Sequence, residues 1–431
     1  MATRRWLGTA VKVKDVWTIT VANTWAGADT ATVTINGKDL TVTVGSLVTA
    51  AQVATSIKQA WEGEAFTDAT ASCVPSGGGV TIPEHSEYTA TVSGAVVTLT
   101  ADAGGIPHTI SATVSTAGDG TATAANAIAA TGPYHFTNAD NWSGGSVPVA
   151  GDDVVFDAGS TDCRFGLAAL TGATLASVTV DSRYTGRIGN ARLQTNAVGS
   201  YAEYRGEYLA AGITSLAIGR GAGLGSPLVK IDGEAVQSTV VVESTGTSGE
   251  RGAAAVRWKG THASNAVNVL SGTLDIAPEA GETATVATLR IGSDGAGGPT
   301  VRCGAGTSLT TAMLYSGEME TRAGLATLNQ YGGESRLNAG NVTTLDLEGG
   351  TCRYLGTGTI TTISEVAPGA TLDFSRDPRG RTVTNAVPVY RGATILDPAK
   401  TVAWSGGIVP TGCGLEDVTL RLGHDRTVTV A

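Results

Sequence analysis

Leu314-Tyr-Ser-Gly-Glu318, Gln330-Tyr-Gly-Gly-Glu334, Leu347-Glu-Gly-Gly-Thr351 and Val366-Ala-Pro-Gly-Ala370 are four versions of one phrase, and their spacing decides the fold. The marker glycines Gly317, Gly333, Gly350 and Gly369 recur at intervals of 16, 17 and 19 residues. Between them lie Leu325-Ala-Thr-Leu328, Val342-Thr-Thr-Leu345 and Ile360-Thr-Thr-Ile363, which are too short for helices and of strand length. A period of about 16 to 20 residues, built from short strands and a recurrent turn, marks a solenoid in which each repeat is one coil. Such coils stack through parallel ladders about 4.8 Å apart.

Stacking turns equivalent positions into columns. Three residues before each marker stand Leu314, Gln330, Leu347 and Val366, a mainly apolar column suited to the interior. Three residues after stand Glu320, Arg336, Arg353 and Leu372, where an acid beside an arginine makes a favourable outward pair.

Composition agrees with a turn-rich β protein. The 431 residues include 59 glycines, about twice the usual share, with 5% aromatic and 15% charged residues. A hydrophobic content of 42% is enough to build a core. The net charge is −10, and the longest basic cluster is Thr3-Arg-Arg-Trp6, so nucleic acid is not an expected partner. No apolar run approaches the roughly 18 residues of a membrane span, and Val11-Lys-Val-Lys-Asp15 interrupts any export signal after Arg4-Arg5. The five cysteines, Cys73, Cys163, Cys303, Cys352 and Cys413, are odd in number and lack CxxC spacing, which reads as buried filler. The histidines, His85, His108, His135, His262 and His424, are equally scattered.

In chain order, residues 1–15 read as an N-terminal arm with Trp6 as an aromatic anchor. Residues 16–115 read as an α+β docking domain. It has a hairpin through Asn36-Gly37, the strongest short hairpin signal, and a helix from Val48 to Trp61 that Gly63 stops. Residues 116–132, rich in Ala, Thr and Gly, read as a linker. The fold class expected is mainly β: this small domain followed by a single-stranded parallel β-helix over 133–386. Its aromatic first segment, from Tyr134 through Trp142 to Phe156, covers the open end, and 387–431 form the closing cap.

Chemistry was sought where acids gather. Glu318 and Glu334 share a column, with Asp346 and Glu348 one coil on, so an acid pair for glycoside chemistry is one reading and a solvated ladder the other. Asp152, Asp153 and Asp157 beside the aromatic segment are a candidate calcium site, without any EF-hand pattern. Gly219-Arg-Gly-Ala-Gly-Leu-Gly225 lacks the lysine and helix of a phosphate loop and reads as a turn. Trp258, Trp404 and Tyr390 read as packing. No catalytic residue and no cofactor is assigned.

The opening Met1-Ala-Thr-Arg-Arg-Trp-Leu-Gly8, the helix Ala51-Gln-Val-Ala-Thr-Ser-Ile-Lys-Gln-Ala-Trp61 and the run from Val92 to Pro107 resemble small domains of tailed-bacteriophage virion proteins. Asn141-Trp-Ser-Gly-Gly-Ser-Val-Pro148 through Val154 resembles the cap entry of bacterial and phage β-helical adhesins. The resemblance implies a non-enzymatic virion surface protein, a head decoration, head fibre or tail fibre, made in the host cytoplasm. Its partners would be other virion proteins and copies of itself, most naturally a trimer, with host or environmental glycans as candidate ligands. Arg4, Arg5, Trp6, Trp17 and Trp25 are the candidate anchor residues. A bacterial surface adhesin and a polysaccharide-degrading β-helix enzyme are the alternatives.

Overall fold

The computed structural model describes residues 2–115, 119–190, 193–195, 200–202, 208–220, 228–245, 254–293 and 298–423. The protein is mainly β, with a large parallel sheet consistent with a β-solenoid and an antiparallel module near its start.

The module is built from two antiparallel four-stranded sheets. One runs Tyr88–Ser93, Val96–Gly104, Lys14–Ala22, Thr121–Ile128, and the other runs Ser72–Val74, Lys38–Thr43, Thr30–Ile35, Ile110–Ser115. Alternation along Thr30–Ile35 buries Ala31, Val33 and Ile35 on one face, and Asn36 and Gly37 turn the hairpin with φ of 47° and 80°. Helix α1 (Ala50–Glu62) starts at a capping box between Thr49 and Gln52 and ends at Gly63 in the left-handed region. Its buried face, Val53, Ala54, Ile57, Ala60 and Trp61, packs with Ile19, Leu40 and Leu99.

The supposed linker contains the strand Thr121–Ile128, paired antiparallel with Lys14–Ala22. It is an edge strand exposed at most positions, so it has no buried face to impress a period of two on the sequence. The supposed arm is a strand as well: Thr3, Arg4 and Arg5 pair in parallel with Asp153, Val154 and Val155. The module is therefore inserted after the first strand of the parallel sheet, and Val13 and Thr131 bridge at its neck.

Beyond the module, two parallel ladders alternate along the chain. One passes through Thr307–Leu314, Leu325–Gln330, Val342–Leu347 and Thr359–Val366; the other passes through Glu318–Thr321, Glu334–Leu337, Thr351–Tyr354 and Thr371–Asp373. Leu314, Gln330, Leu347 and Val366 stand in register and are buried. Gln330 is tolerated there because its Nε2 donates to Gly333 O at 3.2 Å and its Oε1 accepts from Ser335 Oγ at 2.7 Å.

The marker glycines have φ of 86°, 69°, 73° and 80°, and the first three also leave no room for a side chain. A Cβ on Gly333 would lie 2.4 Å from Gly317 O, and one on Gly350 2.3 Å from Gly333 O. The fourth coil departs from the alignment. Arg353 pairs with Asp373, and Leu372 pairs with Cys352, so the outward column continues through the aspartate. The extra residue follows Gly369, where Ala370 N–H donates back to Ala367 O, and Gly369 does not stack on Gly350.

Both ladders continue past Val387 to Ile408–Pro410 and Thr419–Arg421, so no separate cap begins at 387 among the described residues. The expected last strand, Thr427 to Val430, most of the glycine-rich turn, 221–225, and His424 lie outside them. All five cysteines are free thiols, and burial pushes Cys303 and Cys352 up to about 12.

Candidate functional site

The candidate anchors fall into two places. Arg4, Arg5 and Trp6 lie together on the first strand, held to the segment that follows the module. Arg4 Nε meets Asp152 Oδ2 at 3.4 Å, and Arg5 meets Asp157 at 2.6 Å. Trp6 is 6% exposed, its Nε1 donates to Thr161 O at 3.0 Å, and its ring packs edge-on against Trp142 at 5.0 Å. Phe136, Phe156 and Tyr184 extend this aromatic cluster across the end of the core. These three residues close the solenoid's own end, a role invisible while 1–15 are read as a free arm.

Trp17 and Trp25 belong to the module. Trp25 is buried and donates to Ala22 O at 3.0 Å. Trp17 leads to a residue that sequence reading passed over, Asp15. Its Oδ2 accepts from Trp17 Nε1 at 2.9 Å, Tyr88 OH at 2.7 Å and His108 N at 3.1 Å, and its Oδ1 from Asn126 Nδ2 at 2.7 Å and Ala130 N at 3.2 Å. One carboxylate thus ties the module's first and last strands to its middle.

The carboxylates of the calcium reading are turned to protein donors. Asp152 accepts from Ala2 N at 2.9 Å and from Val149 N at 3.3 Å, and with Arg4 these hold it below its ordinary range. Asp153 accepts from Ser177 Oγ at 2.5 Å, and Asp157 lies between Arg5 and Arg183.

On the ladders, Glu318 and Glu334 stand in register. Burial pushes Glu334 up, but hydrogen bonds from Arg336 and Arg353 outweigh it, so its carboxyl lies below the ordinary range. An acid held ionised by two arginines is poorly placed to donate a proton.

The acids that do crowd one another lie one column over. Asp346, Glu348 and Glu365 each offer an oxygen within 4.8 Å of the others. Burial raises Asp346, while burial and then the charges of Asp346 and Glu348 raise Glu365. Asp346 pairs with Glu365 because the register slips by one residue after Leu345, so counting back four from Gly350 and Gly369 finds the pair while counting onward from the Thr-Thr runs misses it.

Beside them Tyr315 and Tyr331 stack at 4.8 Å and 10°, one coil apart. Tyr331, 40% exposed, has its phenol raised by burial and then by Glu348. Since Tyr315 occupies one face of Tyr331, its other face is turned toward the coil of Asp346 and Glu348. The grouped carboxylates have the oxygen donors a hard cation takes.

Among the described residues no helix is long and apolar enough to cross a membrane. No family model, no curated protein and no solved structure matches the chain.

Proposed function

We propose that the chain is a non-enzymatic structural protein of a bacteriophage virion surface. The parallel ladders form a single-stranded parallel β-helix that projects outward, and the helix-bearing module attaches it to the particle. The observation that carries this reading is the insertion of the module between the first strand and the rest of the parallel sheet. A compact unit anchored at both ends of its chain transmits load into a stiff stack, as a fibre or head decoration must. The resemblance of the module and of 141–154 to virion and adhesin segments supports the same reading. Assembly with other virion proteins, as a homotrimer, follows from the symmetry of such particles.

The side of the stack bearing Tyr331, Asp346, Glu348 and Glu365 is the one to contact host or environmental glycans. Its negative charge favours neutral or amino sugars over acidic ones.

Mass spectrometry of purified particles tests the reading: peptides of this chain in stoichiometric amount are expected. Their absence from the particles, with the protein recovered on the bacterial surface, would favour the adhesin instead. New reducing ends on incubation with polysaccharides would favour the enzyme.

A further inference from the structure

Two adjacent ionisable side chains inside the module lack polar partners. Glu84 is 1% exposed and His85 0%, and neither the two carboxylate oxygens nor the two ring nitrogens have a hydrogen-bond partner among the described residues. Both sit in the stretch of 3-10 turns Gly78–Thr81 and His85–Glu87 that lies against helix α1. The His85 ring packs on Trp61 of the helix, centroids 4.5 Å apart at 48°. Gly79 lies so close to both that a Cβ there would lie 3.1 Å from His85 Cβ and 2.8 Å from Trp61 O. Buried polar groups are nearly always satisfied, so four unsatisfied atoms in two neighbouring residues need an explanation.

Apart from Glu84, the acids and the lysine on the elements packed around the ring are engaged elsewhere. On the helix, Lys58 pairs with Glu64, and Glu62 accepts from Ala90 N–H. On the same turn, Glu87 meets His108 Nε2 at 2.7 Å. Asp39, on the strand Lys38–Thr43, is the carboxylate whose field reaches the ring, and with the Val33 carbonyl it only partly opposes burial. Burial therefore lowers His85 from 6.5 to about 4.

We propose that His85 is an acid trigger: on acidification its ring takes a proton at a buried site where the Val33 carbonyl and Asp39 only partly offset the loss of water, and residues 78–87 leave helix α1 while the parallel ladders stay closed. With the folded value below the unfolded one, the closed segment is favoured above pH 6.5 and loses that advantage as pH falls toward about 4. Asp68, which the Thr70 hydrogen bonds hold far below the ordinary carboxylate range, titrates beneath that window.

Hydrogen exchange read by mass spectrometry on the full chain, at about pH 7 and about pH 4.5 with intrinsic rates corrected, tests the proposal. The opening equilibrium of 78–87 and the facing turns of α1 is expected to rise roughly 60-fold on acidification, with peptides from 325–366 unchanged. His85→Phe and His85→Gln are expected to abolish that rise. The same rise in either folded variant, or no rise in the wild-type chain, overturns the proposal. Exchange of the imidazole C2 hydrogen gives the titration of His85 without a substitution: a midpoint near 4 is expected, and one near 6.5 overturns it.

Discussion

The module and the parallel ladders both bury β-strands, but they are secured in opposite ways. In the module, distant strands converge on single groups: Asp15 alone satisfies donors from Trp17, Tyr88, His108, Asn126 and Ala130. In the ladders each coil repeats the contacts of the one below, and the same columns of Leu, Val and Ile recur. A structure tied at one point fails at that point. A structure tied by repetition shares damage with its neighbours, because stability there is close to a sum over coils.

Asp15→Ala puts most strain on the comparison. It leaves several buried donors unmet and should cost the module about 3–5 kcal/mol. Calorimetry should then show the module's transition falling while that of the ladders stays. A single transition moving as a whole would show that the two regions fold as one unit.

Trp6→Ala should come next, at about 3 kcal/mol. It removes a ring from the aromatic cluster, so the loss should appear in the ladder transition although residue 6 precedes the module.

Two glycines in the ladders offer a sharper contrast. Gly333→Ala forces a Cβ to 2.4 Å from Gly317 O, whereas Gly369→Ala meets open space and strains only its φ of 80°. The first should cost roughly 2–3 kcal/mol and the second about 1 kcal/mol, read from chemical denaturation.

The smallest effect concerns pH. Glu365 is raised in the folded state, so its contribution is unfavourable above its folded value and is relieved as pH falls through it. Glu365→Gln should stabilise the ladders by a few tenths of a kcal/mol at neutral pH and flatten this acid gain.

Much of the ladder region was legible, because a repeat writes its register into the sequence. The column Leu314, Gln330, Leu347, Val366 could be read by counting from the glycines alone. Counting fails where the chain takes in one residue without changing its composition. Thus Asp373 displaces Leu372 beside Arg353, and counting onward from the Thr-Thr runs would set Ser364 rather than Glu365 against Asp346. The module's helix and hairpin were legible from caps and turn residues. Its insertion was not, since the pairing of Thr3–Arg5 with Asp153–Phe156 joins residues some 150 apart through three-residue contacts that carry no local signature. The Tyr315–Tyr331 stack escaped notice because tyrosine in a turn looks ordinary until the next coil sets a second ring over it.

The strand Thr3–Arg5 has a consequence for how the molecule is made. Synthesis delivers it well before Asp153–Phe156, the strand it pairs with among the described residues, so it must wait while the whole module emerges and folds. Winding of the stack can proceed upward from Asp153, but its lower face stays open until those early residues swing back to seal it. The strand that seals the end of the parallel sheet is then one of the first pieces of chain produced.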